Sequence, residues 1–307
     1  MNKTALSFDI GGTKLSSCLV NEKGEKITEI TKVATPKTAE EIFEYLKQVS
    51  AKFENEVDVI SIATAGAVNN ENTRVVSSTP NLPSGYHDID FSCLSSKPVF
   101  VENDANAAAW CEYRLGDAKN YAHVVVLTIG TGIGGGIIIN GKLLKGSQGL
   151  AGEVGSIKIS YDKKRQCTCG NYDCWESYGS GTGLKKTAGE LAHTDEAFKS
   201  SIYSSKQPED VTTYDIISGV KENDEYSLKV FNLWQYHIYC GVLTLVNVLN
   251  PELIVFSGGL GEVIETEKME QQVNSSSVVS DVIIKKSELK NETGMIGAAL
   301  LAIESLK

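Results

Sequence analysis

Three glycine-rich turns stand at the ends of β-branched apolar runs: DIGGTK at residues 9–14, TIGTGIGGG at 128–136 and SGGLGE at 257–262. Glycine there lets the backbone approach a ligand closely, and exposed N–H groups with Thr hydroxyls can hold phosphate oxygens. None of the turns reads G-x-x-x-x-G-K-[ST], which excludes a P-loop. None runs as G-x-G-x-x-G into a helix, which disfavours a dinucleotide fold. A tight hairpin would explain any one of them. Three at strand ends, two of them in a repeated unit, favour nucleotide phosphate. Asp9 closes the first run and is placed to hold hydrated Mg²⁺ beside a polyphosphate, with a turn-initiating Asp as the rival reading.

Asn103 and Asp104 fall where a strand pattern meets an Ala-rich helix pattern. An N-cap pair is the plain reading. The functional one is a carboxylate that orients and deprotonates a substrate hydroxyl, which suffices for phosphoryl transfer, where positioning and charge stabilisation do most of the work. Glu153, in the Gly-rich loop GLAGEVGS (149–156), is a plausible acceptor for sugar hydroxyls, and Asn81, in PNLPSG (80–85), could serve the same end. Either could equally be a solvated loop residue. In QCTCGNYDCWE (166–176) the spacing C-x-C-x₄-C places Cys167, Cys169 and Cys174 in one compact loop. A metal knot, a redox pair and a disulfide all fit such density, the disulfide least well in a reducing compartment. Three soft ligands make most of a structural zinc site, but no fourth His or Cys lies near, and His193 is in no zinc spacing.

These residues need elements to hold them. ALSFDIGGTKLSSCLVNEKGEKITEI reads as strand, Gly-Gly turn, strand, polar turn and third strand. In TAEEIFEYLKQVSAKF, Ile42, Leu46, Val49 and Phe53 recur at helical spacing behind a Thr38/Glu41 capping box. VDVISIATAGAV has the unbroken apolar character of a buried parallel strand ending at Gly66. HVVVLTIGTGIGGGIIINGKLLKG repeats the opening pattern, with Asn140-Gly141 marking its hairpin. An apolar-periodic helix spans about residues 225–249, and GMIGAALLAIESLK reads as a terminal helix returning to the first domain. The duplication predicts two similar domains around a central cleft, with a boundary near 117–122. They comprise residues 1–118 plus 292–307 and residues 119–291.

The 307 residues suit two domains, and 41% hydrophobic with 22% charged residues describes a globular chain. A net charge of −10 argues against nucleic-acid or anionic-membrane partners. No signal-peptide h-region or bilayer-length apolar run is present, so the expected location is cytoplasmic. There Cys18, Cys93, Cys111 and Cys240 are most simply buried apolar residues.

In order along nearly the whole chain, DIGGTK, ENDANAAAWCEYRLG, TIGTGIGGGIIINGKLLKGSQGLAGEVG, CTCGNYDCWESYGSG, SGGL and GMIGAALLA resemble the repressor/open-reading-frame/kinase (ROK) family of sugar kinases and regulators. The resemblance implies an α/β, two-domain actin-like ATPase (ribonuclease-H-like) fold. It also implies transfer of the ATP γ-phosphoryl, with Mg²⁺, to a hexose hydroxyl, most often the 6-OH. By motif position Asp104 is similar to the family's base. Asn103, Glu153, Glu176, Asn81 and Gly66 are similar to its sugar positions. Asp9, Gly11, Gly12, Thr13, Lys14, Thr131 and Gly132 match the phosphate loops, Gly258 and Gly259 the adenosine-side turn, and Cys167, Cys169 and Cys174 the zinc cysteines. Family members are commonly dimers or tetramers.

Two positions depart from the pattern. Ser156 stands where the family's GExGH carries a His that ligates zinc and contacts sugar, and Asp173 replaces a glycine. Serine can still bond a sugar hydroxyl but is a poor zinc ligand, which leaves open zinc on three thiolates plus another donor, or no zinc. A sugar kinase acting on glucose or a related sugar is the favoured expectation. A sugar-binding protein with weak or no kinase activity is the alternative. A sugar-responsive transcriptional regulator comes third, because the phosphate motif begins at Asp9 and leaves no room ahead of it for a DNA-binding domain.

Overall fold

The structure is a computed structural model and describes residues 3–77, 81–278, 281–289 and 292–307. Its contacts divide the chain into two units. One comprises Met1–Val126, Gly135–Gly152 and Ser287–Lys307, the other Leu127–Gly134 and Glu153–Lys286.

The first unit opens with strands β1 (Thr4–Ile10), β2 (Lys14–Asn21) and β3 (Thr31–Ala34), followed by helix α1 (Ala39–Phe53). Next come β4 (Val59–Thr64), a small hairpin of β5 (Ala67–Val68) and β6 (Val75–Ser77), then β7 (Val99–Asn103) and α2 (Asp104–Leu115). The sheet order is β3-β2-β1-β4-β7. The first three strands run antiparallel, β4 lies parallel to β1, and β7 lies parallel to β4. This is the ribonuclease-H-like arrangement. It carries Asp9 to the turn end of β1, opposite Ser16 and Ala63.

The arrangement recurs. β8 (Val124–Ile129), β9 (Ile133–Ile139) and β10 (Lys142–Leu143) join two later strands, β11 (Leu253–Ser257) and β12 (Ile283–Lys286), in the order β10-β9-β8-β11-β12. β8 and β9 each give residues to both units. Two such sheets make the α/β actin-like ATPase fold that the family resemblance implied. Asn140 and Gly141 have φ of 50° and 71°, the left-handed pair a two-residue hairpin requires. Between β10 and β11 lie α3 (Glu176–Gly179), α4 (Gly181–Thr194), α5 (Ala197–Ser200), α6 (Thr213–Lys221) and α7 (Glu225–Leu249); α8 (Thr266–Ser276) lies between β11 and β12, and α9 (Thr293–Ser305) ends the chain. Among the described residues no helix is long and apolar enough to cross a membrane.

Local chemistry explains the best-formed helices. At α1 the Thr38 side chain accepts from Glu41 N–H, and the Glu41 side chain accepts from the Thr38 backbone. Asp224 caps α7, which ends at Asn250 in the left-handed conformation, just before Pro251. α9 returns to the first unit, where Met295, Ala299, Ala302 and Ile303 pack with Ala5, Cys18, Val20 and Val59.

Two expectations need correction. The third strand lies past KITEI, at Thr31–Ala34, because the turn after β2 is extended by Asn21 Oδ1, which accepts from Lys23 and Glu25 N–H. Cys18 and Cys111 are buried, but Cys240 is half-buried and Cys93 is exposed. Cys93 ends a short turn in which Phe91 takes the buried place.

Candidate active site

The first unit holds a cavity of about 480 Å³ at the turn between β1 and β2, lined by Asp9, Gly11, Thr13, Lys14, Ser16, Lys32 and Glu292. The turn is closed by Gly11 N–H on Lys14 O at 3.0 Å, and Thr35 Oγ1 donates to Gly11 O at 2.6 Å. Burial raises the Asp9 pKa, Lys14 opposes the rise and Glu292 adds to it. A carboxylate short of solvation beside cationic lysines fits a hydrated cation and the phosphates that accompany it. Sequence reasoning missed Lys32 and Glu292. Glu292 pairs with Lys26 at 2.8 Å and with Lys32 at 3.5 Å, across more than 250 positions of chain. Gly12 comes against Asn81, where a Cβ would meet the Asn81 carbonyl at 2.6 Å, so these two candidates do meet. Pro80, in the same loop, lies outside the described residues.

Asn103 is the N-cap of α2 and Asp104 its first residue. Asn103 Oδ1 accepts from Ala105 and Asn106 N–H at 2.9 and 3.0 Å, while its Nδ2 donates to Gly66 O at 3.0 Å. Asn103 and Gly66 are therefore joined, and capping takes up much of the Asn103 amide. Asp104 is exposed, and its Oδ1 accepts from Ala105 N–H at 2.8 Å. It stands at the positive end of the α2 helix dipole.

The second unit gathers another group. Glu176 Oε2 accepts from Ile133 N–H at 3.1 Å, and Oε1 accepts from Thr168 Oγ1 at 3.1 Å. Its carboxylate also lies where a Gly132 side chain would have to be, so the 130–133 turn and the residue after the cysteine loop are in contact. Thr182 donates to Thr131 O at 2.9 Å, and Gly181 N–H donates to Gly130 O at 2.8 Å. Gly258 has φ of 84° and sits against the Ile129 backbone, where a side chain would collide. Gly259, next to it, is exposed and has nothing within side-chain reach. Glu153 is exposed at the loop surface, yet the protein around part of its carboxyl, and then the negative Glu176, push its pKa up. Ser156 ends the short helical turn Val154–Ser156 and is exposed.

The sulfurs of Cys167, Cys169 and Cys174 lie within 4.8 Å of one another, and those of Cys169 and Cys174 are 3.7 Å apart. A tetrahedral zinc with bonds of about 2.3 Å has an S···S edge of about 3.8 Å, so three corners fit. Among the described residues no fourth Cys, His, Asp or Glu joins the group. Lys158 Nζ donates to Cys174 Sγ at 3.4 Å and also to Tyr172 O, setting a positive charge beside the thiols.

Asp173 takes the left-handed conformation, φ 59°, that a glycine would adopt freely. Its carboxylate accepts from the backbone N–H of Lys163, Lys164 and Arg165 at 2.6, 3.1 and 3.0 Å and from Tyr178 Oη at 2.8 Å. These donors, that of Arg165 foremost, hold its pKa below the ordinary range. The substitution thus ties the loop together instead of straining it.

The ROK family model matches residues 5–305. The glucokinase of Streptomyces coelicolor is 31% identical over 315 aligned positions, covering 97% of this chain and 97% of that protein. The N-acetylmannosamine kinase of Yersinia pseudotuberculosis is 30% identical over 309 positions, covering 98% and 99%. Among solved structures, a ROK family glucokinase of Streptomyces griseus in complex with glucose and AMPPNP superposes with a TM-score of 0.79 at 28% identity, covering 99% of this chain and 100% of that one. With the family model spanning all but a few terminal residues and relatives aligned end to end, the chain belongs to the ROK family.

Proposed function

We propose that the protein is an ATP-dependent sugar kinase that moves the γ-phosphoryl of ATP to a hexose hydroxyl, the 6-OH of glucose or a close relative. The observation that carries this reading is the cavity at the β1–β2 turn, where Asp9, Thr13 and Lys14 surround a space fit for phosphates and a cation. The glucokinase and N-acetylmannosamine kinase relatives support it. Asp104 is the base that takes the hydroxyl proton as the oxygen attacks phosphorus. Glu153, Glu176, Ser156, Asn81, Asn103 and Gly66 hold the sugar. Gly11, Gly12, Thr13, Lys14, Thr131 and Gly132 hold the phosphates, and Gly258 and Gly259 border the adenosine. Mg²⁺ held near Asp9 would neutralise charge on the phosphate oxygens. Cys167, Cys169 and Cys174 would hold a structural zinc with one ligand from outside the cluster, and Lys158 would offset the thiolate charge. The protein acts in the cytoplasm on a small-molecule sugar, and it assembles as a dimer or tetramer.

The test is a panel of hexoses, N-acylhexosamines and β-glucosides with Mg-ATP, read by coupled ADP detection, with elemental analysis for zinc and light scattering on the same preparation. ADP release dependent on one sugar class is expected. No turnover with any member would overturn the kinase reading, and tight calorimetric sugar binding without ADP would replace it with the sugar-binding one.

A further inference from the structure

Glu102 is the penultimate residue of β7, directly before the Asn103–Asp104 corner, and is only 1% exposed. Its carboxylate accepts from Lys145 Nζ on both oxygens, at 2.8 and 2.6 Å. It also accepts from Asn106 Nδ2 at 3.1 Å, from Asn72 Nδ2 at 3.2 Å, and from the backbone N–H of Asn103 itself at 3.0 Å. The donors come from separate segments of the first unit: the loop within the β5–β6 hairpin, the first turn of α2, the corner, and the loop after β10. That last loop is fastened elsewhere as well. Ala151 N–H donates to Lys145 O at 3.1 Å, Asn70 Nδ2 donates to Ser147 O at 2.8 Å, and Gly149, at φ 80°, lies against the Val68 carbonyl.

A buried ion pair is a poor source of net stability, since an apolar pair of similar volume often serves as well or better. Such a pair does supply direction: each bond on the Glu102 carboxylate restricts where the Asn103 peptide can sit. The Asn103 side chain in turn caps α2, so the same bonds fix the turn that carries Asp104. We propose that Glu102 and Lys145 are a positioning pair that holds Asp104 in register for proton abstraction. This rests on the reading of Asp104 as base.

Lys145→Met removes the charge at nearly constant shape. It is expected to lower kcat by at least about tenfold with sugar KM changed less than about threefold, because a misplaced catalytic group costs up to about 10²-fold in rate. Lys145→Arg, which keeps the charge and can bond both oxygens, is expected to recover most of the rate. The double variant Glu102→Gln/Lys145→Met leaves no unpaired buried charge. It should melt near the wild type while its kcat stays low. A second readout needs no turnover: amide exchange of Ala105 and Asn106 should accelerate in Lys145→Met while β4 amides do not change. Wild-type kcat in the double variant, or unchanged exchange at Ala105 and Asn106, would sink the positioning role alone. A wild-type protein silent on the whole sugar panel would instead remove the kinase reading on which the role depends.

Discussion

On the proposed reading two jobs coincide at Asp104, since a carboxylate in the first turn of α2 both complements the helix dipole and would take the proton from the sugar hydroxyl. Asp104→Asn separates them. Losing the charge at a helix N-terminus costs about 0.3–1 kcal/mol, so the variant should fold. Losing an acid–base group costs at least ~10²-fold in kcat, and sugar affinity should stay near the wild-type value. Steady-state kinetics beside calorimetry decide it, and wild-type kcat would remove Asp104 from the role. Glu153 makes a pH-dependent prediction. Its carboxyl binds a proton more tightly in the folded protein than its ordinary value of 4.5 implies, so the stability linked to that proton is present at acid pH and lost as pH rises through the raised value. If Glu153 holds the sugar as proposed, sugar hydroxyls donate to its charged form, so sugar KM should fall across the same rise, from 4.5 upward. The same slope in Glu153→Gln would assign the dependence to another group. Asp9, Asp104 and Glu153 could be singled out because each lies in a short local pattern of strand end, cap or Gly-rich loop. Glu102 and Lys145 could not, for they are 43 positions apart and only the folded sheet joins them.

At the scale of elements, α2 and α9 cross where glycine is required. A Cβ on Gly297 would run into the Ala107 carbonyl, so the two helices approach backbone to backbone. Gly297→Ala trades a small gain in helix propensity for overpacking at this crossing, which typically costs 1–3 kcal/mol, roughly. A lower denaturation midpoint with an unchanged m-value is the expected result, and a midpoint at or above that of the wild type would show that the crossing has slack. Elements with a strong local code were legible in advance. α1 has its capping box, α7 runs over the 225–249 stretch that its periodicity marked, and β4 is buried along its whole length. Residues 154–174 carry no comparable code. Their order comes from contacts such as the four donors on Asp173, which no repeat of apolar residues announces. The same contacts explain how an aspartate can stand where the family has a glycine.

At the scale of the whole molecule, the first unit is discontinuous, because Ser287–Lys307 completes a body begun at the N-terminus. The last helix is no accessory to it. Met295, Ala299, Ala302 and Ile303 are nearly inaccessible in a cluster with β1, β2 and β4 residues. Ser7 Oγ donates to Met295 O at 2.6 Å inside that core, and Lys3 Nζ donates to Leu306 O at 3.1 Å at the chain ends. Removing residues 287–307 would therefore strip an apolar face from β1 and β4 and leave the Ser7 hydroxyl without its buried acceptor, each a large cost against a marginal total. The contacts of Glu153–Lys286 lie mostly within the second unit, so the loss should not spread evenly. Hydrogen exchange on the truncated chain is expected to show β1, β4 and α1 amides exchanging at close to unfolded rates while α7 and β11 keep protection. If β1 and β4 retained their protection, the terminal helix would be a cover on a unit that folds without it. Equal collapse of protection in α7 and β11 would mean that the two units fold as one cooperative body, with the chain crossings at 126–127, 134–135, 152–153 and 286–287 transmitting the loss.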